Sequence, residues 1–240
     1  MKSELPFRCF TLHPKVVLLE WSTPPDAALL QQLIGFQKAI LKEVDEVVQI
    51  TQGYCSLMLY HKSEVHYIEN YANRLYALFE SLTAPIRTKQ KIWEIPVCYE
   101  EELAPDLKSL AKQLKMSTAK LIHTHTSVSY QVYFIGFLPG FLYLSGLPSV
   151  LECDRKAKPI PKIERGSVAI GGKQTGIYPL DSPGGWHRIG KTPYPLFDPK
   201  KKKPCFAQAG DTIQFKSISK SDYFALETQR ANGTLEILPL

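Results

Sequence analysis

Features that mark membrane, secreted or metal-binding proteins are missing from this sequence. Residues 1–15 contain no continuous apolar segment of signal-peptide length, and no later stretch of the 240 residues is long and apolar enough to span a bilayer. The five cysteines are odd in number and scattered, with no Cys-x-x-Cys pair and no histidine at metal-ligand spacing. We therefore expect a cytoplasmic protein with free thiols, no membrane partner and no metal site of its own.

A strong charge imbalance is also lacking. The formal net charge is +6 at pH 7, and a good part of it lies in the lysines of residues 200–203, a run that is typical of a solvated loop. There is no recognisable nucleic-acid-reading motif and no basic stripe interleaved with aromatic residues, so we expect no nucleic-acid partner. Hydrophobic residues make up 44% and charged residues 22% of the chain, which excludes a disordered protein.

The first part of the chain predicts a compact α+β unit. Short apolar segments and leucines at helical spacing indicate two strands, a helix that begins after Asp26, a hairpin that turns near Gly53 and a second helix. The strands are predicted at 7–12, 16–21, 44–51 and 55–60, and the second helix at 67–82. At residues 83–91 the apolar periodicity lapses and a proline interrupts, which predicts domains at 1–86 and 87–240.

The second domain is predicted to be rich in short strands. Two short helices are indicated at 105–114 and from 117 toward 123, and strands at 92–99, 130–137, 167–171, 212–217 and 235–238. Many short strands at close spacing, with proline and glycine between them, favour a small closed or half-closed β-barrel rather than a parallel sheet.

Residues 133–199 concentrate glycine, proline and aromatic side chains more than the rest of the chain does. Glycine frees the backbone and proline fixes it, so this tract specifies a set of shaped turns whose peptide groups can face a ligand. We expect the loops of its two glycine-proline clusters to converge on one pocket, with His125, Gln174 and Trp186 close together. This tract is therefore the predicted functional site.

Residues 185–192 match the pattern Gly-x-x-x-x-Gly-Lys-Thr of a phosphate-binding P-loop. A P-loop needs a helix that begins at the lysine, but Pro193 and Pro195 follow at once and remove amide donors. We therefore reject the P-loop, although Lys191 could still contact an anion in another geometry.

Other catalytic patterns are absent or ambiguous. The sequence contains no Gly-x-Ser-x-Gly elbow and no His-Glu-x-x-His pair. His123 and His125 lie two residues apart, and their spacing fits a histidine that bonds a helix-end carbonyl as well as a catalytic one. The available carboxylates, Glu164, Asp181, Asp198 and Asp211, are more typical of turns or surface than of general acids or bases.

The motifs of residues 95–198 closely resemble those of a known family. It includes the B subunit of bacterial 5-oxoprolinase, the sporulation-kinase inhibitor KipI, and subunit 1 of allophanate hydrolase with its counterpart in urea carboxylases. The matching residues are Ile95-Pro96-Val97, Pro105-Asp106-Leu107, His125, Tyr130, Val132, Gly136-Phe137-Leu138-Pro139-Gly140-Phe141, Tyr143-Leu144, Gly166-Ser167-Val168-Ala169-Ile170, Gln174-Thr175-Gly176-Ile177-Tyr178-Pro179, Ser182-Pro183-Gly184-Gly185-Trp186 and Ile189-Gly190.

This resemblance implies a fold and an activity. The fold is α+β, a small N-terminal α+β domain followed by a cyclophilin-like β-barrel. The activity is ATP-dependent opening of 5-oxo-L-proline to L-glutamate, with Mg²⁺ accompanying ATP, shared with partner A and C subunits and absent from this chain alone. Two alternatives remain, a KipI-like inhibitor that binds a sensor histidine kinase, and a subunit related to allophanate hydrolase or urea carboxylase. The second is less favoured because the sequence has no biotin-attachment or amidase segment.

Site roles follow from this implied reaction. His125 is predicted to transfer a proton or orient the phosphoryl group, and Gln174 and Thr175 to donate or accept hydrogen bonds. Tyr178 and Trp186 are predicted to form the walls of the site. The remaining predicted binding residues, which supply backbone amides or positive charge, are Gly140, Gly172, Gly176, Gly184, Gly185 and Lys191.

One departure from the family pattern bears on the substrate. Most members carry two Pro-Arg pairs before the Ser-Val strand, whereas this chain has Asp154-Arg155 and Pro159-Ile160 at those places. One arginine is kept and the other is replaced by Ile160, which cannot bind a carboxylate. Lys158, Lys162 or Arg165 could supply a point charge in the same region.

Overall fold

The computed structural model describes residues 5–82 and 90–240. The chain divides into two compact units, Met1–Lys89 and Gln90–Leu240. The division predicted after residue 86 lies outside the described residues. No helix within the described ranges combines the length and the apolar character needed to cross a membrane.

The first unit is a two-layer α+β structure. Its elements are β1 (Arg8–His13), β2 (Val16–Glu20), α1 (Ala27–Glu43), β3 (Val47–Gln52), β4 (Ser56–His61) and α2 (Ile68–Glu80). The strands form an antiparallel sheet in the order β1-β2-β4-β3. Asp26 caps α1 by accepting a hydrogen bond from the Leu29 amide at 2.7 Å, as the sequence indicated. The predicted order of two strands, helix, hairpin and helix is confirmed.

The second unit is built on a closed seven-stranded barrel, in the order β10-β7-β6-β13-β5-β12-β9. Its elements are β5 (Ile92–Cys98), α3 (Leu107–Gln113), α4 (Thr118–Thr126), β6 (Ser129–Ile135), β7 (Leu142–Ser145), β8 (Ile160–Ile163), β9 (Ser167–Gly171), β10 (Gln174–Ile177), β11 (Ser182–Gly184), β12 (His187–Lys191), β13 (Thr212–Ile218) and α5 (Lys220–Ala231). Only β13 and β5 pair in parallel among the barrel pairs. β8 and β11 form a separate two-stranded ribbon. The predicted α+β fold with a barrel is confirmed.

Two features near the C-terminus differ from the sequence expectation. Residues 235–238, predicted as a strand, are not in a strand, although their burial alternates along the chain. The Leu240 amide donates to the Ile92 carbonyl at 2.8 Å, and that single bond does not extend into a ladder. Helix α5 was not predicted, because Tyr223 is its one buried residue and it therefore has no apolar periodicity.

The five cysteines are free thiols, as expected, and Cys98 and Cys153 are buried. Burial raises the pKa of Cys153 to about 11, so this thiol stays protonated at neutral pH.

Candidate functional site

A pocket lies on the outer side of the barrel, between the strands and the β8–β11 ribbon. Its volume is about 290 Å³. It is lined by Phe137, Phe141, Tyr143, Arg155, Pro159, Tyr178, Pro183, Gly184, Gly185 and Trp186. Aromatic rings with one charged group are the usual lining of a site for a small organic ligand.

Edge-to-face aromatic contacts fix the walls of this pocket. The ring of Phe141 lies 5.5 Å from that of Tyr178 and 5.7 Å from that of Trp186, at angles of 85° and 76°. All three side chains are buried and pack with Ile163 and Ala169 in a cluster separate from the barrel core. Such interlocked rings hold their positions without a ligand. Burial raises the pKa of Tyr178 to about 12, so its hydroxyl is protonated at neutral pH.

Three glycines leave room for these rings. A Cβ atom on Gly171 would lie 2.4 Å from Trp186 Cδ1, and one on Gly184 would lie 2.4 Å from Tyr178 Oη. A Cβ atom on Gly176 would lie 3.1 Å from both Phe141 and Trp186. The glycines of this tract are therefore required by close packing against the pocket walls.

Arg155 is the one charged residue among the described residues that line the pocket. Its guanidinium carbon lies 5.8 Å from the centre of the Trp186 ring, within cation–π range. Its two neighbours are tied down, since the Asp154 carbonyl is 3.0 Å from His187 Nε2 and the Lys156 amide donates to the Gly185 carbonyl at 2.7 Å. The loop thus presents Arg155 at the rim over a fixed ring.

Asp106 also holds the loop that carries Arg155. Its carboxylate, in a residue that is 8% exposed, accepts hydrogen bonds from Lys156 Nζ at 2.6 Å and from Arg188 Nε and the Arg188 amide at 3.0 and 2.9 Å. Burial raises its pKa, but the bonds from Arg188 and Lys156 outweigh burial and hold the pKa below its usual range. In the sequence Asp106 stands at a predicted helix start and in the family motif Pro105-Asp106-Leu107, but its side chain makes no cap hydrogen bond.

His125 lies inside the barrel, where it is 0% exposed. Its ring stacks on Phe215 at 4.6 Å and contacts Tyr130 at 5.4 Å. Tyr99 Oη is 2.9 Å from Nδ1, and Thr175 Oγ1 is 2.9 Å from Nε2.

The hydrogen bonds around His125 run in one direction. The Thr175 hydroxyl donates to the Ala169 carbonyl at 3.2 Å, so its oxygen accepts from His125 Nε2–H. His125 Nδ1 is then an acceptor and the Tyr99 hydroxyl donates to it. This arrangement needs a neutral imidazole, and burial lowers the His125 pKa to about 3.

Comparison with known proteins agrees with the architecture. Residues 7–207 match a family model described as carboxyltransferase domain, subdomain C and D. The chain is 35% identical over 208 residues to the 5-oxoprolinase B subunit of Escherichia coli O157:H7, an alignment that covers 87% of this chain and 94% of that protein. This chain belongs to the 5-oxoprolinase B-subunit family.

Two further proteins resemble this chain over different shares of their length. The 5-oxoprolinase B subunit of Bacillus subtilis is 46% identical over 140 residues, and the chain spans 58% of the length of that relative. The urea carboxylase of Kluyveromyces lactis superimposes on this member of the family with a TM-score of 0.79 at 16% identity, over 100% of this chain and 24% of that one. This second likeness shows the shared fold.

The predicted site residues of this family member fall into separate places. Tyr178, Gly184, Gly185 and Trp186 line the pocket, and Gly176 lies directly under its rings. His125 and Thr175 lie in the barrel interior, on the other side of β10. By strand alternation Gln174 shares the outer face with Gly176, and it is half-buried. The structure therefore does not bring all predicted residues to one pocket.

The other predicted residues are engaged in contacts of their own. Lys191 pairs with Glu164, and the Gly172 amide donates to the Cys153 carbonyl at 2.7 Å. A Cβ atom on Gly140 would lie 2.7 Å from Phe197 Cβ, so this glycine permits close packing of two loops. Residues 187–191 form β12 rather than the helix of a P-loop, which agrees with the rejection of that motif.

Several site residues escaped sequence analysis or were noticed without a role. Phe137, Phe141 and Tyr143 were matched only as part of the family motif, and Arg155 only as the retained arginine. These residues belong to the tract of residues 133–199. Its high content of glycine, proline and aromatic residues is the signal that could have found them. Within residues 5–82 and 90–240 no group of three or more His, Cys, Asp or Glu side chains could hold a metal ion.

Proposed function

We propose that this chain is the B subunit of an ATP-dependent 5-oxoprolinase, which opens 5-oxo-L-proline to L-glutamate together with the A and C subunits. The observation that carries the proposal is the 35% identity over 87% of this chain to a curated 5-oxoprolinase B subunit. We propose further that the chain is inactive alone and works in the cytoplasm.

The reaction explains why such a site is needed. The lactam of 5-oxoproline is a resonance-stabilised amide, and transfer of a phosphoryl group from ATP to its oxygen would make the carbonyl carbon a good electrophile. The site must then hold the substrate in one orientation while water is kept out. The walls made by Tyr178 and Trp186 suit the flat ring of the lactam.

The size of the pocket limits what it can hold. A volume of about 290 Å³ is at the small end of ligand sites, which suits a molecule of the size of 5-oxoproline. Mg²⁺ is proposed to arrive with the phosphates of ATP, as part of the co-substrate.

The roles of the remaining predicted residues stay proposals. Gln174 and Thr175 are proposed as hydrogen-bonding groups, and the amides of Gly140, Gly176, Gly184 and Gly185 as anion contacts. Lys191 and the Gly172 amide could act in this way only after leaving Glu164 and the Cys153 carbonyl. The role predicted for His125, proton transfer or orientation of the phosphoryl group, requires that this buried ring become accessible in the complex with the A and C subunits. Full turnover of a complex that carries His125→Gln would remove this role.

Reconstitution tests the proposed function. The chain would be co-expressed with candidate A and C subunits, and glutamate release from 5-oxo-L-proline measured with and without ATP and Mg²⁺. We expect ATP-dependent release from the complex and none from this chain alone. A folded complex that produces no glutamate would overturn the proposal. The two alternatives, a kinase inhibitor and a relative of allophanate hydrolase or urea carboxylase, have no observation that favours them over this activity.

A further inference from the structure

Phe137 sits in an unusual turn at the mouth of the pocket. Its φ angle is +63°, in the left-handed region that bulky residues rarely adopt. The Leu138 amide donates to the Gly136 carbonyl at 2.7 Å, which closes a three-residue γ-turn around Phe137. Turns of this kind with positive φ cost free energy and persist where the surrounding structure imposes them.

The surroundings of the turn impose it at both ends. The Gly136 amide donates to the Phe141 carbonyl at 3.1 Å, and the Phe141 amide donates to the Leu138 carbonyl at 3.0 Å. Gly140, with φ of +85°, packs closely against residues 196 and 197. The base of the loop is thus fixed, and its tip carries one large side chain.

The Phe137 ring is presented to the pocket rather than buried. The residue is 62% exposed, and its ring meets Phe141 edge-on with the centroids 5.6 Å apart. An exposed ring gains no free energy from burial, and the positive φ adds a cost, so this arrangement is favourable only when something covers the ring. A ligand in the pocket would cover it, because Phe137 is one of the lining residues.

Arg155 supplies the charge that the same ligand would meet. It lies at the rim over Trp186, on a loop held by Asp106, His187 and Gly185. Of the three cations that could replace the lost family arginine, Lys162 pairs with Asp181, Arg165 pairs with Glu227, and Lys158 is not among the lining residues of the pocket. A planar guanidinium beside aromatic walls suits a carboxylate.

We propose that Phe137 and Arg155 determine the specificity of this pocket for a small ring that carries one carboxylate. Arg155 binds the carboxylate, and Phe137 packs over the ring and closes the pocket. This inference rests on the proposed function in one respect, that 5-oxo-L-proline is the natural ligand. The two residues act in binding rather than in the chemical step.

Kinetics of the complex with the A and C subunits test the inference. Phe137→Gly removes the ring and relieves the positive φ, so we expect KM for 5-oxo-L-proline to rise about tenfold with kcat within about twofold. Phe137→Tyr keeps a ring and should stay within about twofold of the wild type in both constants. Phe224→Ala, which removes an exposed phenylalanine on α5, serves as the control and should change neither constant. An unchanged KM for Phe137→Gly would overturn the role of Phe137.

A ligand without the carboxylate isolates the role of Arg155. In calorimetric titrations the wild-type complex should bind 5-oxo-L-proline more tightly than 2-pyrrolidinone. Arg155→Gln should reduce the ratio of the two affinities about tenfold, and Arg155→Lys should reduce it by a smaller factor. An equal preference in wild type and Arg155→Gln would overturn the assignment of the carboxylate to Arg155.

The inference can be separated from the proposed function. If the wild-type complex releases no glutamate, the proposed function fails, and titration with cyclopentanecarboxylate and benzoate then tests the pocket alone. Binding that weakens in both Phe137→Gly and Arg155→Gln would still support the inference. No binding of any ring carboxylate to folded wild-type protein would overturn it.

Discussion

The two faces of strands β9 and β10 serve different purposes. On the inner face, Thr175 and Ile170 belong to a sealed interior in which His125 is fully bonded. On the outer face, Gly171 and Gly176 lie against Trp186 at the floor of an open pocket. One hairpin therefore supplies both the barrel core and the floor of the pocket. A substitution that shifts the backbone of β9 or β10 should affect the packing on both faces.

The inner face should be the more sensitive to truncation. Removal of the His125 side chain leaves a cavity and deprives Tyr99 and Thr175 of their partners, so we expect His125→Ala to lower the free energy of unfolding by about 3–5 kcal/mol. The free energy of unfolding is measured by urea titration followed by circular dichroism. His66→Ala, at an exposed position, is the matched control and should show no measurable change. A small effect of His125→Ala would mean that the interior is not closed as described.

The same residue predicts how stability depends on pH. The His125 pKa is about 3 when folded and 6.5 in the ordinary state, so its contribution is complete above pH 6.5 and is lost progressively as pH falls toward 3. The slope is about 1.4 kcal/mol per pH unit, and between pH 7 and 5 the wild type should therefore lose about 2 kcal/mol more than His125→Gln. Equal losses in the two proteins would show that His125 is protonated when folded or is not buried.

On the outer face, Gly171→Ala tests the packing of the pocket floor. Strand β9 is paired on both sides, so its backbone cannot yield and the new methyl group must displace the Trp186 ring. We expect a loss of about 2–3 kcal/mol in stability and of ligand binding, measured by urea unfolding and calorimetry.

Its neighbour provides the control for this change. Gly172 has φ of +64° and nothing within 4 Å of its Cβ position, so Gly172→Asn should leave the pocket intact because asparagine tolerates this conformation. Loss of binding in both variants would show that the hairpin backbone, and not the Trp186 contact, controls the site.

The smallest expected effect concerns the loop that carries Arg155. Asp106→Asn weakens the bonds to Lys156 and Arg188 and should cost about 1–2 kcal/mol at pH 7. The pKa of Asp106 is lowered, so its contribution is present above pH 3.8 and is lost as pH falls further. The difference between wild type and variant in urea unfolding should therefore shrink below pH 3.8.

An exposed pair gives the reference for this variant. Glu101→Gln breaks the pair with Lys108, in which both side chains are 68% exposed, and should leave stability and ligand binding unchanged. If Asp106→Asn behaved in the same way, the loop of Arg155 would not depend on the buried carboxylate.

Much of the fold could be predicted because its signals are local. Asp26 and the leucines of α1 define a helix by spacing and capping alone. Residues 235–238 show where local signals fail, because their alternation resembles a strand but the backbone finds no partner for a ladder. Helix α5 shows the reverse case, in which Ser219 caps the helix by accepting from the Asp222 amide although apolar periodicity is lacking.

The sequence predicted which stretch of the chain carries the candidate site, but not which side chains contact one another there. Density of glycine, proline and aromatic residues located it within residues 133–199, and Tyr178 and Trp186 line the pocket. The fully buried position of His125 was not foreseen, since its spacing in the sequence fits both a helix-end and a catalytic residue.

The sequence by itself determined the local elements, the chemical character of the site-bearing tract and the family to which the chain belongs. Only the tertiary structure decided which side chains share a space. It placed His125 and Trp186 on opposite faces of β10, and it joined Asp106 to Arg188 across 82 positions of sequence. The physical reason is that alternating side chains acquire an inside and an outside only when the barrel closes.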